Sequence, residues 1–593
     1  MTSVNRLVLK RDGKQVVLHT NGAICQSKLE LLKSAAFKQV ISWYLEYLGR
    51  HNRPLLVSLG INISRKETVA GLVKLLAELE DSPLVEMARH SASAMIYLNR
   101  RELLNEFVEG LYNFWRSHGR FLLCYSERGA DSYEHKPYRT FNQTVEQLTH
   151  LVRSTYRDIC ENITGDHPRV YRQVSAGCGV GLILTPKPWP APKGLYNKLK
   201  GIPFIRQVWI APPLIIDPPM NKRAGQFRLV IENPLKYIQL ENGKWFCYPA
   251  RVGHLVIFIY FHQSVIGLGC ALANLFELAS DSQISEGPDA LYFYGAPPDG
   301  LVRFGEMPTV FYDDNPNRLL VAAVPSGDEF GYFGYLKKMV LTLHNIVVLK
   351  QGRMPYHGAM FRIILKNNTQ ANILMIGDTA TGKSELLEAF RTLGAGHIQE
   401  FKIIADDMGS LEIKPNAIIA GYGTEIGAFV RLDDLQPGFA FGQIDRAIFM
   451  SPQKVNARVV IPVTTIQEVL RGYPLTMLFY ANNYESVDDS HPVIERFRSA
   501  EEALKVFREG AAMSKGTTTA TGLVHTYFAN IFGPPQYRTL HEAIARKVFR
   551  NAFDSGILVG QIRTRLGIAG YETKGPQAAA QALFELIQKK HHR

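Results

Sequence analysis

Apolar residues recur at helical spacing through residues 26–165 of this chain, as in "SKLELLKSAAFKQVISWYLEYLG", "KETVAGLVKLLAELE" and "RRELLNEFVEGLYNFW". That periodicity predicts a mainly helical N-terminal region, 1–165. Ahead of it, "MTSVNRLVLKRDGKQVVLHT" reads as a hairpin turning at Asp12-Gly13, with charges where a secretory signal needs an apolar run. From about residue 166 the pattern changes to short apolar runs broken by proline, as in "TPKPWPAPKG" at 185–194 and "APPLIIDPPMNKRAG" at 211–225. Proline fixes φ and removes a hydrogen-bond donor, so these segments stop helices, and residues 166–325 read as a mixed α/β, Pro-rich region. Beyond "PSGDEFGYFG", strand-like and helix-like stretches alternate as far as the C-terminal helix "GPQAAAQALFELIQKK", which makes 326–593 a third portion. The expected fold class is α/β. The apolar run 255–276, "LVIFIYFHQSVIGLGCALANLF", is long enough to span a bilayer, but His262, Gln263, Ser264 and Asn274 interrupt it. A buried strand followed by a buried helix is the better reading, and no membrane association is expected.

One interruption of the pattern carries chemistry. "ANILMIG" reads as a buried strand and "SELLEAFRTLG" as a helix, and between them the chain runs Gly377, Asp378, Thr379, Ala380, Thr381, Gly382, Lys383, Ser384. Glycine, four free positions and then Gly-Lys-Ser, between a strand and a helix, is the pattern of a phosphate-binding loop. Glycines let the backbone curl so that consecutive N–H groups share a hollow, the helix adds its positive N-terminal end, and Lys383 adds a mobile charge. Ser384 brings a hydroxyl to the place where a phosphate-bound magnesium ion needs an oxygen ligand. Such a loop also needs a carboxylate for its metal. "FKIIADDMGSLEI" offers Asp406-Asp407 at the end of an apolar strand, one acid to ligate the cation and the other to orient water or accept a proton. Upstream, Lys338 and His357 lie 19 residues apart on the approach to the loop strand.

Composition narrows the setting. At 593 residues the chain exceeds what one hydrophobic core serves, so several domains are expected. Its 67 basic and 54 acidic residues give a net charge of +13, which favours anionic partners such as nucleotides and phosphorylated small molecules. The basic residues are scattered, with no polybasic stripe, so no nucleic-acid partner is expected. The six cysteines form no CxxC pair, which fits reduced thiols and a cytoplasmic location.

Taken in order, "EFGYFGYLKKM", "YHGAM", the phosphate loop, the Asp-Asp pair, "NARVVIPV" at 456–463, "GPPQY" and "GIAGYETKGPQAAAQALFELI" resemble the phosphoenolpyruvate carboxykinases over about residues 325–590. The resemblance implies a carboxykinase-like P-loop nucleotide-binding C-terminal lobe behind a larger mixed α/β N-terminal portion. It implies an ATP-dependent conversion of oxaloacetate to phosphoenolpyruvate, ADP and CO2. By the same resemblance Lys338, His357 and Asp407 are ligands of a manganese ion, Ser384 and Asp406 hold magnesium, Tyr332 borders the substrate and Arg458 reaches the transferred phosphoryl group. Lysine beside a divalent cation is pushed towards its neutral, ligating form, and histidine brings a nitrogen that favours manganese over magnesium. Two departures stand out. The Gly-Arg-Ser-Pro-like phrase with which that family grips a substrate carboxylate has no counterpart here, and the family's mobile lid is replaced by "EGAAMSKGTTTATG" at 509–522, a flap or an exposed linker. "YHG", "GDTATGKSE" and "IIADD" also resemble HPr kinase, a related enzyme that phosphorylates a protein hydroxyl. A third alternative is a non-catalytic nucleotide sensor whose N-terminal region is open to a protein partner.

Overall fold

The computed structural model describes residues 8–20, 24–63, 67–126, 138–224, 226–394, 396–435, 441–451, 453–515 and 521–589. The fold is mixed α/β, and the chain divides into two compact units, 1–186 with 203–211 and 187–202 with 212–593.

In the first unit, strands Val8–Asp12, Gln15–Thr20, Gly119–Tyr125, Val180–Thr185 and Phe204–Ile210 lie side by side in chain order. The first pair is the expected hairpin, closing with Asp12 opposite Gln15 and with Gly13 at φ 56°. Helices from Lys28 to Arg116, together with the long helix Tyr138–Thr164, bury a core that includes Leu32, Tyr44, Leu76, Phe107 and Ile159. Helix Arg101–Arg116 contributes Leu104, Phe107, Val108 and Leu111, the i, i+3, i+4, i+7 stripe that its sequence predicts.

In the second unit a 9-stranded sheet carries Met354–Leu365, Gln370–Ile376, Met477–Asn482 and Leu558–Arg563 as consecutive neighbours. The last three run parallel, and Met354–Leu365 is antiparallel to Gln370–Ile376. Helices Lys383–Gly394 and Lys574–Lys589 cover one face, with Leu386, Phe390, Leu583 and Ile587 packed on Phe361, Met375 and Phe479. A second, 4-stranded sheet joins Gly427–Arg431, Arg458–Pro462, Ile448–Met450 and Leu214–Ile216. The apolar run at 255–276 forms strand Leu255–His262, buried as far as Phe261, a 3₁₀ turn and the fully buried helix Ile266–Ala271. No helix among the described residues is long and apolar enough to cross a membrane.

Candidate functional site

The Gly377–Ser384 loop leaves the carboxyl end of Gln370–Ile376, and the helix after it starts at Lys383. Crevices outside the carboxyl ends of parallel strands are where open α/β sheets bind ligands. Two glycines are required by the geometry. Gly382 has φ +91°, and a Cβ there would lie 2.7 Å from the Thr564 side chain, while at Gly377 it would lie 2.4 Å from Thr381 Oγ1. Within the loop Thr381 Oγ1 donates to the Asp378 carbonyl at 2.7 Å. Lys383 Nζ folds back to donate to the carbonyls of Gly377 at 2.5 Å and Asp378 at 2.7 Å, and burial lowers its pKa. Thr379 and Ser384 are exposed, Asp378 and Ala380 half-buried. Two residues absent from the sequence reading fix the loop from neighbouring strand ends. Asn483 Nδ2 donates to the Ala380 carbonyl at 3.0 Å, and Thr564 Oγ1 to the Thr381 carbonyl at 2.7 Å.

Register brings the predicted metal-binding residues to this loop. His357 lies in Met354–Leu365, where Gly358 pairs with Ile376 on one side and His357 pairs with Met408 on the other. Gly377 N–H donates to the His357 carbonyl at 3.0 Å, and Gly358 N–H to the Asp407 carbonyl at 2.9 Å. Asp406 and Asp407 occupy the turn between Ile398–Ala405 and Met408–Ile413. Lys337 and Lys338 stand near the start of helix Phe333–Lys350. The Asp407 carboxylate meets Lys338 Nζ, Lys337 Nζ at 3.0 Å and His357 Nε2 at 3.1 Å. Burial opposes its charge, yet Lys337 and Lys338 hold the Asp407 carboxyl well below the usual carboxylate range. Burial, with Lys337 alongside, lowers Lys338, whereas burial raises Asp406. Lys337 loses by burial as well, but Asp407 and Glu425 together raise it above an ordinary lysine. Glu425, 3.1 Å from Lys337 Nζ and fully enclosed, is pushed by burial up to about 7.

No group of three or more His, Cys, Asp and Glu side chains among the described residues is disposed to hold a metal. The set implied by resemblance contains two of these types plus a lysine, and its hydrogen bonding fits a cation. His357 Nδ1 lies 2.5 Å from the Ala529 carbonyl, which can only accept. A neutral ring that donates there presents its Nε2 lone pair to the Asp407 carboxylate, an arrangement that a cation or a proton between them satisfies. Lys338, His357 and Asp407 would hold a transition-metal ion, and Ser384 and Asp406 line the same cavity.

That cavity has a volume of about 270 Å³ and lies wholly within the second unit. Lys383, Asp378, Thr379 and Ala380 form one side, and Tyr332, Arg458 and Phe429 another. Tyr332 is buried, which raises its pKa, and its ring lies 5.9 Å from that of Phe429. The Arg458 guanidinium stands 5.4 Å over Phe429. Arg223 and Arg431 reach the cavity as well. Arg223, in the Pro-rich region, rests over Phe227 and Phe532 at 4.8 and 5.3 Å. Within the stretch predicted to be a flap or linker, Ala511–Lys515 pairs with Thr521–His525 and lines the cavity through Ala512, Met513 and Ser514, while 516–520 lie outside the described residues. Every predicted site residue except His357, Gly377, Thr381 and Gly382 borders the cavity. No protein-family model matches this chain, and no curated protein matches it significantly.

Proposed function

We propose that the chain is an ATP-dependent phosphotransferase of the carboxykinase type, with a β-keto acid such as oxaloacetate as second substrate. The observation that carries the reading is the meeting of Lys338 and His357 at Asp407, whose carboxylate, with Lys338, borders the cavity lined by the phosphate loop and Lys383. When ATP enters, its phosphates take over the loop and Lys383 exchanges two backbone carbonyls for phosphate oxygens. Ser384 and Asp406 would hold magnesium, and Lys338, His357 and Asp407 manganese. When bound, these cations supply neutralising charge at the phosphates and at the developing oxyanion of the second substrate. The carboxylate C–C bond breaks with loss of CO2, the electron pair passes to the enolate oxygen, that oxygen takes the γ-phosphoryl group and ADP leaves. Arg458 balances charge spread over the equatorial oxygens, and Tyr332 closes the apolar wall beside it. Orientation of this kind contributes on the order of 7–11 kcal/mol to barrier lowering.

A second reading is favoured by Asp406, a cavity carboxyl raised by burial towards the range of a general base. In that reading the same ATP site phosphorylates a hydroxyl of a small molecule or protein, as HPr kinase does. Incubation with manganese, ADP, bicarbonate and phosphoenolpyruvate separates them. Oxaloacetate formation supports the first reading; turnover of ATP only with an added hydroxyl acceptor supports the second; tight nucleotide binding without turnover overturns both and leaves a sensor.

A further inference from the structure

Strands Gly427–Arg431 and Arg458–Pro462 are antiparallel, and Arg431 and Arg458 are direct partners across the pair. Directly opposed residues share a sheet face with Cβ atoms roughly 5 Å apart, and like charges there repel. Both arginines line the cavity. The Arg458 Nε is buried without a hydrogen-bond partner, and no ion pair to Arg458 is found among the described residues. Arg431 meets Asp433, a largely exposed carboxylate on the same short turn, at 3.2 Å. The neighbouring position on this face is Phe429, whose ring backs the Arg458 guanidinium and denies it water on that side. Two arginines paired across the strands and bordering one cavity, Arg458 with a buried Nε that lacks a partner, bring to it planar donor groups of the kind that matches the oxygens of a dianion.

We propose that the Arg431–Arg458 cross-strand pair is an oxyanion subsite, separate from the phosphate loop, that receives the phosphate of the phosphorylated second substrate. The proposal rests on the phosphotransferase reading for the identity of that ligand, and it adds Arg431, which neither the loop motif nor the resemblance singles out. A phosphomonoester dianion at this pair offsets the repulsion between the two arginines.

The test titrates inorganic phosphate into the full chain by calorimetry, with and without saturating ADP and magnesium, for the wild type, Arg431→Gln and Asp433→Asn, with oxalate as a carboxylate probe in a parallel arm. Saturable phosphate binding that persists with ADP bound, weakens roughly tenfold or more in Arg431→Gln and is kept or tightened in Asp433→Asn is the expected result. ADP affinity should be the same in all three proteins. Phosphate affinity within twofold of wild type in Arg431→Gln, an equal loss in Asp433→Asn, or no saturable phosphate binding at all would overturn the subsite. Oxalate bound more tightly than phosphate would overturn its assignment to a phosphate. If ADP does not bind but phosphate binding still depends on Arg431, the nucleotide reading falls and the subsite stands.

Discussion

Gly382 shows how a single position can be read from sequence and then explained by structure. The loop motif demands a glycine there, and the reason is visible twice, in a φ of +91° and in the Thr564 side chain 2.7 Å from any added Cβ. Gly382→Ala is expected to cost on the order of 1–3 kcal/mol of stability. Denaturant unfolding would check this, and nucleotide binding should be lost in the same variant. Lys383, Lys338, His357, Asp406 and Asp407 were legible because each lies inside a short local pattern or beside one. Glu425 was not: it is one acid in "GYGTEIG", and only the fold brings it to Lys337 at 3.1 Å. Its neighbour Lys337, beside Lys338 in the sequence, is the more deeply buried of the two lysines and is held between two carboxylates. Glu425→Leu should therefore be strongly destabilising, by about 3–5 kcal/mol, because the buried Lys337 ammonium would keep only Asp407, a carboxylate it shares with Lys338 and His357. A midpoint in denaturant unchanged from wild type would contradict that arrangement.

The strand ends explain why the rest of the site escaped a reading of local patterns. Asn483 follows Met477–Asn482, Thr564 follows Leu558–Arg563 and Arg431 ends Gly427–Arg431, so Asn483 and Thr564 reach the loop, and Arg431 the cavity, through pairing between segments distant in sequence. The elements themselves were more legible than their pairing: the hairpin at Gly13, the apolar strip of Arg101–Arg116 and the buried strand and helix within 255–276 all follow from periodicity and turn chemistry. Asn483 ties two elements together. Its Nδ2 donates to the carbonyls of Ala380 and Met513 at 3.0 and 2.9 Å, and its Oδ1 accepts from Met513 N–H at 2.8 Å. The phosphate loop and the Ala511–Lys515 strand are thereby held by one fully buried amide. Asn483→Ala is expected to cost about 1–3 kcal/mol through the buried backbone groups it leaves unpaired, and to weaken ATP more than tenfold by loosening the loop. Unfolding curves and calorimetry on the same sample check both, and a stability loss with unchanged ATP affinity would show that Asn483 serves packing alone.

Over the molecule as a whole, the predicted chemistry gathers in the second unit, while the first is a helical and sheet-bearing body with its own core and no part of the described cavity. The +13 charge has a local counterpart in the lysines and arginines that border the cavity. Stability should depend on pH through two buried histidines of the second unit, His344 and His541, both lowered by burial to about 4. The unfolded chain binds a proton at each below about pH 6.5, and the folded chain refuses it until about pH 4. Each contribution is thus complete above pH 6.5 and lost as the pH falls towards 4, by about 3 kcal/mol per histidine. His541→Gln should make the fall in unfolding free energy between pH 6.5 and 4 shallower by about one proton's worth, and an unchanged slope would contradict the neutral ring, whose Nδ1 lies 2.8 Å from the Tyr527 hydroxyl. The central claim, that the turn at 377–384 is a nucleotide phosphate cradle, is tested most directly by calorimetric titration of magnesium ATP into the wild type and Lys383→Ala. The account predicts saturable binding by the wild type and a loss of about a hundredfold or more in the variant. No saturable binding by the wild type, or equal affinity in the two proteins, would contradict it.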